Sequence, residues 1–300
     1  MLRAMSCGVA GVDTHMNAMG VCGNNISNVN TYGFKSSSAM FTDVMYQTLS
    51  NASAPGVSNG GKDPVQVGYG SKMGAVSVNT DKGDEASTGK SNDLYIDGEG
   101  YFTLAGQLKA AGNYTDPPAS YKYTRVGSVQ FDSDGNLVDT ATGGYICGMD
   151  AVTPPGTLPT TLPAAWTTPS TTPTVIHYDT KNNTIKNVAI AADGTITATD
   201  SSNAAVYVGK IELAHFANPG GLSQEGDSCV SSTDNSGTAT YAFVGTGGTG
   251  PLKAGCLEGS NVDLATELSN MIMYERGFQA NSKIISVSDE MLETLVNMKR

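Results

Sequence analysis

The chain has 300 residues, of which 36 are glycine and 12 proline, and only 15% are charged. Its 28 acidic residues against 17 basic ones leave a net charge of −11, and no basic cluster occurs, which excludes the concentrated Lys/Arg surface that a nucleic-acid backbone requires. The five cysteines, Cys7, Cys22, Cys147, Cys229 and Cys256, are scattered without CxxC spacing, which argues against a disulfide framework and a zinc site.

No apolar run approaches the roughly 20 residues that cross a bilayer. Arg3 is not followed by an uninterrupted apolar stretch or a small-residue cleavage site, so neither membrane insertion nor a secretory leader is expected.

The first element predicted is a helix. Leu2, Met5, Val9, Val12, Met16, Met19 and Ile26 recur at heptad-compatible spacing. Gly8, Gly11, Gly20 and Gly23 interrupt the segment, each at a cost of roughly 1 kcal/mol relative to alanine. Such a helix is expected to order only against a partner. "GNNISNVNTYGFK" (23–35) then reads as its stop. Asn24, Asn25, Asn28 and Asn30 can cap or bend the chain through their amides, and Gly33 allows a left-handed backbone. Phe34 is the expected apolar anchor of the connecting segment, 31–74.

From 75 to 257 the pattern is β. Apolar runs flank Asp97-Gly98, Asp134-Gly135 and Asp193-Gly194, and Asp-Gly between alternating segments is a hairpin signal. Residues 151–175, rich in Pro and Thr, read as a loop insertion that Trp166 would pin.

The last element is a helix of roughly 35 residues, about 50 Å long. Leu264, Leu268, Met271, Tyr274, Phe278, Ile285, Leu292 and Leu295 mark its apolar stripe, with Ile284, Met291 and Met298 along the flank. Asp263 and Glu267 near its start and Lys299 and Arg300 at its end suit the helix dipole.

The expected fold is mainly β with α-helical termini. Residues 1–30 and 258–300 would pair in coiled-coil fashion as an assembly domain, with a hairpin-rich β domain at 75–257. Two helices alone cannot bury both apolar stripes, so self-assembly into a homo-oligomer is expected.

Nothing in the sequence supplies catalytic chemistry. "GTGGTG" (245–250) matches a dinucleotide fingerprint in form only, because Pro251 and Gly255 follow where a helix must begin. "DSDGN" (132–136) lacks the glycine and glutamate of a calcium loop. His15, His177 and His215 stand apart from metal-ligand spacing. No cofactor, metal or enzymatic activity is expected.

The same residues resemble the axial proteins of the bacterial flagellum, the rod and hook family. "GNNISNVNTYGFK" looks like its N-terminal signature, with Asn24, Asn25, Ile26, Asn28, Gly33 and Phe34 carrying it, and 258–300 is similar to its C-terminal signature. "SNVDL", "RGFQANSK", "SDEML" and "LVNMKR" resemble the hook branch more than the distal rod branch, and "GGKDPVQVGYG" (60–70), "STGKSNDLYIDGEGYF" (87–102) and "NPGGL" (218–222) are also similar to the hook pattern. The resemblance implies a structural subunit, exported unfolded by the flagellar type III apparatus, that polymerises helically into a short curved tube, a universal joint transmitting motor torque. The implied location is the hook and basal body, outside the cell after export. Implied partners are further copies of the chain, the rod, the hook cap, the hook–filament junction proteins and the export gate. Phe41 and Met45 in "FTDVM" fit the short Phe-x-x-x-apolar element that the gate reads. The insertion at 151–175 is too short for the additional outer domain of many hook proteins. Competing readings are a distal rod subunit and, more remotely, a secreted β-domain adhesin.

Overall fold

The computed structural model describes residues 2–55, 60–107, 117–151, 158–163, 166, 168–178, 185–200 and 203–298. The chain divides into two units. A helical unit contains Met1–Val29, Ser36–Asn79 and Val262–Arg300, and a β unit contains Asn30–Lys35 and Thr80–Asn261. The backbone therefore passes between them four times.

In the helical unit, α1 (Leu2–Ser27) runs through Gly20, Gly23, Asn24 and Asn25 without interruption. The expected stop at Gly23 comes later, where the Asn28 N–H bonds back to the carbonyls of both Asn24 and Asn25 at 3.2 Å. Packing outweighs the propensity cost. A Cβ at Gly8 would stand 3.1 Å from Ile285 Cγ1, and one at Gly11 would stand 2.5 Å from Asn281 Nδ2. These glycines let α2 (Leu264–Met298) approach closely, so they form part of the helix contact instead of weakening it.

Between the helices the chain forms a two-stranded ribbon. Strand β1 (Ser37–Asp43) runs antiparallel to β4 (Ser71–Val78), and β2 (Tyr46–Ser50) to β3 (Val65–Gly68). The Val44 N–H to Gly70 carbonyl and Tyr69 N–H to Met45 carbonyl bonds, both 3.0 Å, carry the ladder between the two pairs. An isolated two-stranded hairpin is marginal in water, so the ribbon needs support. It leans on α1, where Thr14 Oγ1 donates to the Ser71 carbonyl at 2.9 Å and Arg3 Nη2 to Gln47 Oε1 at 2.7 Å.

The β unit holds β5 (Glu85–Ser87), β6 (Leu94–Ile96), β7 (Tyr101–Gln107), β8 (Ser120–Thr124), β9 (Val129–Phe131), β10 (Leu137–Asp139), β11 (Tyr145–Asp150) and β12 (Thr174–Val175). It continues with β13 (Lys186–Ile190), β14 (Thr195–Thr199), β15 (Ala205–His215), β16 (Ser223–Gly226), β17 (Cys229–Ser231), β18 (Thr240–Phe243), β19 (Leu252–Ala254) and β20 (Cys256–Glu258). Twelve strands form one sheet along the path β13-β14-β15-β11-β7-β8-β17-β16, with β9, β10, β12 and β18 off it. Strand β15 is the spine, pairing with β14, β11, β7 and β18. Ile211 and Leu213 on it are fully buried in a core that includes Ile96, Phe102, Ile176 and Ile196, and Ala214 is fully buried in a second cluster with Tyr101, Tyr123 and Phe216.

Asp134-Gly135 joins β9 to β10 and Asp193-Gly194 joins β13 to β14, both antiparallel hairpins as their sequences predict. Asp97-Gly98 does not make a hairpin. Strand β6 pairs with β19, while β7 joins the large sheet. Gly98 (φ +150°) lies so close to Gly250 that a Cβ would be 2.9 Å from its Cα, and its carbonyl accepts from Arg125 Nη1 at 2.8 Å. The chain here changes sheets instead of reversing.

The Pro/Thr-rich stretch lies partly outside the described residues, but its described part is fastened at several points. Trp166 is buried edge-on to Tyr207, and Tyr207 N–H donates to the Pro159 carbonyl at 3.0 Å. Glu212, buried on β15, accepts from the Ser170 N–H at 2.7 Å and from its hydroxyl. Burial pushes the Glu212 carboxyl above its ordinary 4.5, with the Ser170 bonds opposing in part. A carboxyl held more protonated in the fold stabilises fully below its ordinary value, and that contribution is lost as pH rises through the raised one. Glu212→Gln is therefore expected to flatten the pH dependence of stability above about pH 4.5, measured by urea unfolding across a pH series. An unchanged slope would remove Glu212 as its source.

Candidate assembly surface

The inward face of α1 is a stripe of small and polar residues: Gly8, Gly11, Thr14, Ala18, Cys22 and Asn25. It differs from the stripe the large apolar residues mark. Val9 and Met16 are each 53% exposed, and Met5, Val12, Met19 and Ile26 are half-buried. On α2, Met271, Tyr274, Phe278, Ile285 and Leu292 are half-buried, while Leu264, Leu268 and Leu295 are exposed. Leu2's side chain lies outside the described residues. The reason is size: a helix approached within a glycine's reach turns its bulky residues sideways and outward.

Asn25 sits fully buried at the end of this stripe. Its amide exchanges two bonds with the Ser37 backbone, accepting from the N–H at 3.0 Å and donating to the carbonyl at 2.7 Å, in the manner of a β partner. It also donates to Glu267 Oε1 at 2.9 Å. One amide thereby ties the end of α1, the start of β1 and the first turn of α2. Asn24 and Asn28 bond to each other at 3.0 Å. Beside Asn25, burial and a hydrogen bond to Glu267 push the Cys22 thiol up to about 12, so it stays protonated.

Further along, His15, Phe41 and Tyr274 form an aromatic cluster, with Phe41 edge-on to Tyr274 at 5.8 Å between centroids. A Cβ at Gly277 would stand 2.7 Å from the His15 ring, so this glycine makes room for it. Phe41 nonetheless remains 42% exposed, and Met45 is 65% exposed. Apart from Tyr32 and Leu162, every exposed large hydrophobic side chain among the described residues lies in the helical unit. They include Met40, Tyr46, Leu49 and Val65 on the ribbon and Ile272, Met273, Met291 and Val296 on α2. Apolar exposure on this scale marks an interaction surface.

The β unit carries the complementary feature, a buried ionic node at Glu258. The side chain of Glu258 has no exposure, and those of Lys35 and Arg125 retain 9% and 5%. Glu258 Oε1 accepts from Lys35 Nζ at 2.6 Å and from the Gly83 N–H at 2.9 Å, and Arg125 Nη1 stands 3.5 Å from Oε2. Lys35 Nζ also donates to the Asp81 carbonyl at 2.7 Å. The Gly33 N–H donates to the Glu258 carbonyl at 2.8 Å, with Gly33 at φ +70°, where a Cβ would also crowd Val126 Cγ2 at 3.1 Å. Burial lowers the Lys35 pKa, and the Glu258 charge restores part of it. The node therefore binds together residues next to each point where the chain enters or leaves the β unit. Phe34, the expected anchor here, is only half-buried. Sequence reasoning missed the node; its signal was a lysine closing the N-terminal motif and a glutamate opening the C-terminal one.

Among the described residues no group of three or more His, Cys, Asp or Glu side chains could hold a metal ion, and no helix is long and apolar enough to cross a membrane. "GTGGTG" forms the turn between β18 and β19. The described apolar side chains of the β unit are thus mostly buried, whereas those of the helices and the ribbon are largely exposed, the distribution of a protein that associates through its helical unit. The family is shown by comparison. A family model described as the flagellar basal body rod FlgEFG protein C-terminal matches residues 253–298. The chain is 37% identical to the flagellar basal-body rod protein FlgG of Bacillus subtilis over 301 residues and 33% identical to that of Borreliella burgdorferi over 304, covering 100% of each chain. It is 26% identical to the flagellar hook protein FlgE of Borreliella burgdorferi over 452 residues, again covering 100% of both chains. The chain belongs to the flagellar rod and hook family, whose members are axial structural components of the flagellum. Within that family the rod relatives stand nearer than the hook relative, against the hook-like expectation.

Removing one partner of a buried ion pair strands the others without compensation, at a cost of about 3–5 kcal/mol. Glu258→Ala is expected to lower the stability of the β unit by that amount in chemical denaturation. A loss below about 1 kcal/mol would show that the node is incidental.

Proposed function

We propose that the chain is a distal rod subunit of the flagellar basal body, polymerising helically through its helical unit. The observation that carries this over the hook reading is length with identity. Rod relatives align end to end over 301 to 304 residues, whereas the hook relative needs 452 at lower identity. A compact hook subunit had to lack an outer domain, whereas the alignment to the two rod proteins spans the whole of each.

In this reading α1 and α2 pair in coiled-coil fashion in the polymer, and the exposed side chains of α2 and the ribbon are covered by neighbouring copies. Contacts that do not close into a ring generate such a filament. The subunit reaches its place by type III export, with Phe41 and Met45 read by the export gate on the unfolded chain, and its neighbours are further copies and the adjoining axial proteins. The packing of Phe41 on Tyr274 gives that residue a second role, in the folded subunit.

Electron microscopy of the concentrated protein is expected to show straight tubes, and a chain lacking residues 1–30 none. Curved tubes would return the hook reading, and tubes from the truncated chain would overturn the helical unit's role. Since Met45 is 65% exposed in the fold, Met45→Ala is expected to cut secretion several-fold while the purified variant still polymerises. Normal secretion would remove the gate assignment.

A further inference from the structure

The ionic node at Glu258 is not balanced. Two buried cations, Lys35 and Arg125, share one buried carboxylate. That carboxylate gives its shorter bonds to Lys35 Nζ and the Gly83 N–H, leaving Arg125 at 3.5 Å. Arg125 Nη1 donates to the Gly98 carbonyl at 2.8 Å, its guanidinium lies 5.1 Å from the Tyr101 ring centroid, and its buried Nε–H has no acceptor. A guanidinium carries five donors in a fork that matches a carboxylate, and here the Nε–H is unanswered while Glu258 is shared with Lys35. Burying a surplus charge is costly unless an anion answers it.

A cavity opens beside that guanidinium. It has a volume of about 180 Å³ and is lined by Arg125 together with Tyr101 and Phe216, whose rings meet edge-on at 5.9 Å. Gly98 and Gly100 contribute to the wall without side chains. His215 stands at the cavity and is held by Glu99 at 3.1 Å; Lys82 lines it too, held by Asp97 at 2.8 Å. The acids on the lining, Asp81 and Glu99, are both exposed and so screened by solvent, while the Arg125 charge is not. Every one of these residues belongs to the β unit.

We infer that this cavity is a carboxylate-binding site, in which an anionic oxygen pair answers Arg125 above the Tyr101–Phe216 floor. The carboxylate has two sources, a small free acid or an Asp or Glu side chain of a second copy of the chain. Nothing in the assembly reading supplies this site, and it stands or falls independently of rod or hook.

The test uses the full chain, dilute enough to be monomeric, with sodium acetate as the probe and sodium chloride replacing it at constant ionic strength. Acetate is expected to raise the melting temperature saturably, by roughly 3 °C at tenfold excess over its dissociation constant. His215→Trp, which narrows the mouth and leaves Arg125 in place, is expected to abolish the shift, as is Arg125→Gln if that variant folds. No shift in the wild type, or an equal shift in wild type and His215→Trp, would overturn the inference. Given a specific shift, acetate that also slows polymerisation identifies the carboxylate as a neighbouring copy's, and unchanged polymerisation identifies a free acid; either supports the site.

Discussion

The β unit depends on one carboxylate. Glu258 has no exposure, and its surroundings come from four separate stretches: Gly33 and Lys35, Asp81 and Gly83, Arg125, and its own strand β20. Stretches so far apart in sequence have no local reason to meet. A buried charge supplies one, because the Glu258 carboxylate, taken wholly out of water, would be left uncompensated without the cations and N–H groups these stretches bring to it. The same fact explains why six residues, Asn30–Lys35, belong to the β unit although the chain on either side belongs to the other. Lys35 is drawn to Glu258, and Gly33 supplies the left-handed bend that brings it there.

The helical unit is organised by the opposite chemistry. Its contact face is made of residues chosen for smallness, and specificity comes from a few satisfied polar groups such as Asn25 and Thr14. That arrangement spends the large apolar residues elsewhere. Val9, Met16 and several large side chains of α2, among them Ile272 and Met273, stay exposed instead of joining the contact between the helices. Small-residue packing inside and apolar surface outside are thus one design, since the close approach of the helices turns the bulky side chains out.

Much of this was legible in the sequence, and the exceptions have physical causes. The length of α2, the hairpins at Asp134 and Asp193 and the fastening of Trp166 follow from local periodicity and turn chemistry. The buried face of α1 does not, because counting large apolar residues scores Gly8 and Gly11 as defects when they are contact positions. Asp97-Gly98 carries a hairpin signature but is claimed by β19 and Arg125, which no local window contains. The assembly of Lys35, Arg125 and Glu258 is wholly non-local, and a single sequence gives no means to pair them. The motifs identify the family, whereas rod and hook share them closely enough that overall length and identity separate the branches better.

The four passages of the backbone between the units have a mechanical meaning. The units are joined covalently at four points, so a cut at any one of them leaves three other connections along the chain. Each segment is held by the β unit within a few residues of its entry, at Gly33, Lys35, Asp81, Gly83 and Glu258. Tension on any one of them is therefore met at a shared ionic anchor before it reaches the strands of the large sheet. Peeling a sheet breaks its hydrogen bonds one at a time, whereas pulling on this anchor must separate several charge-assisted bonds at once.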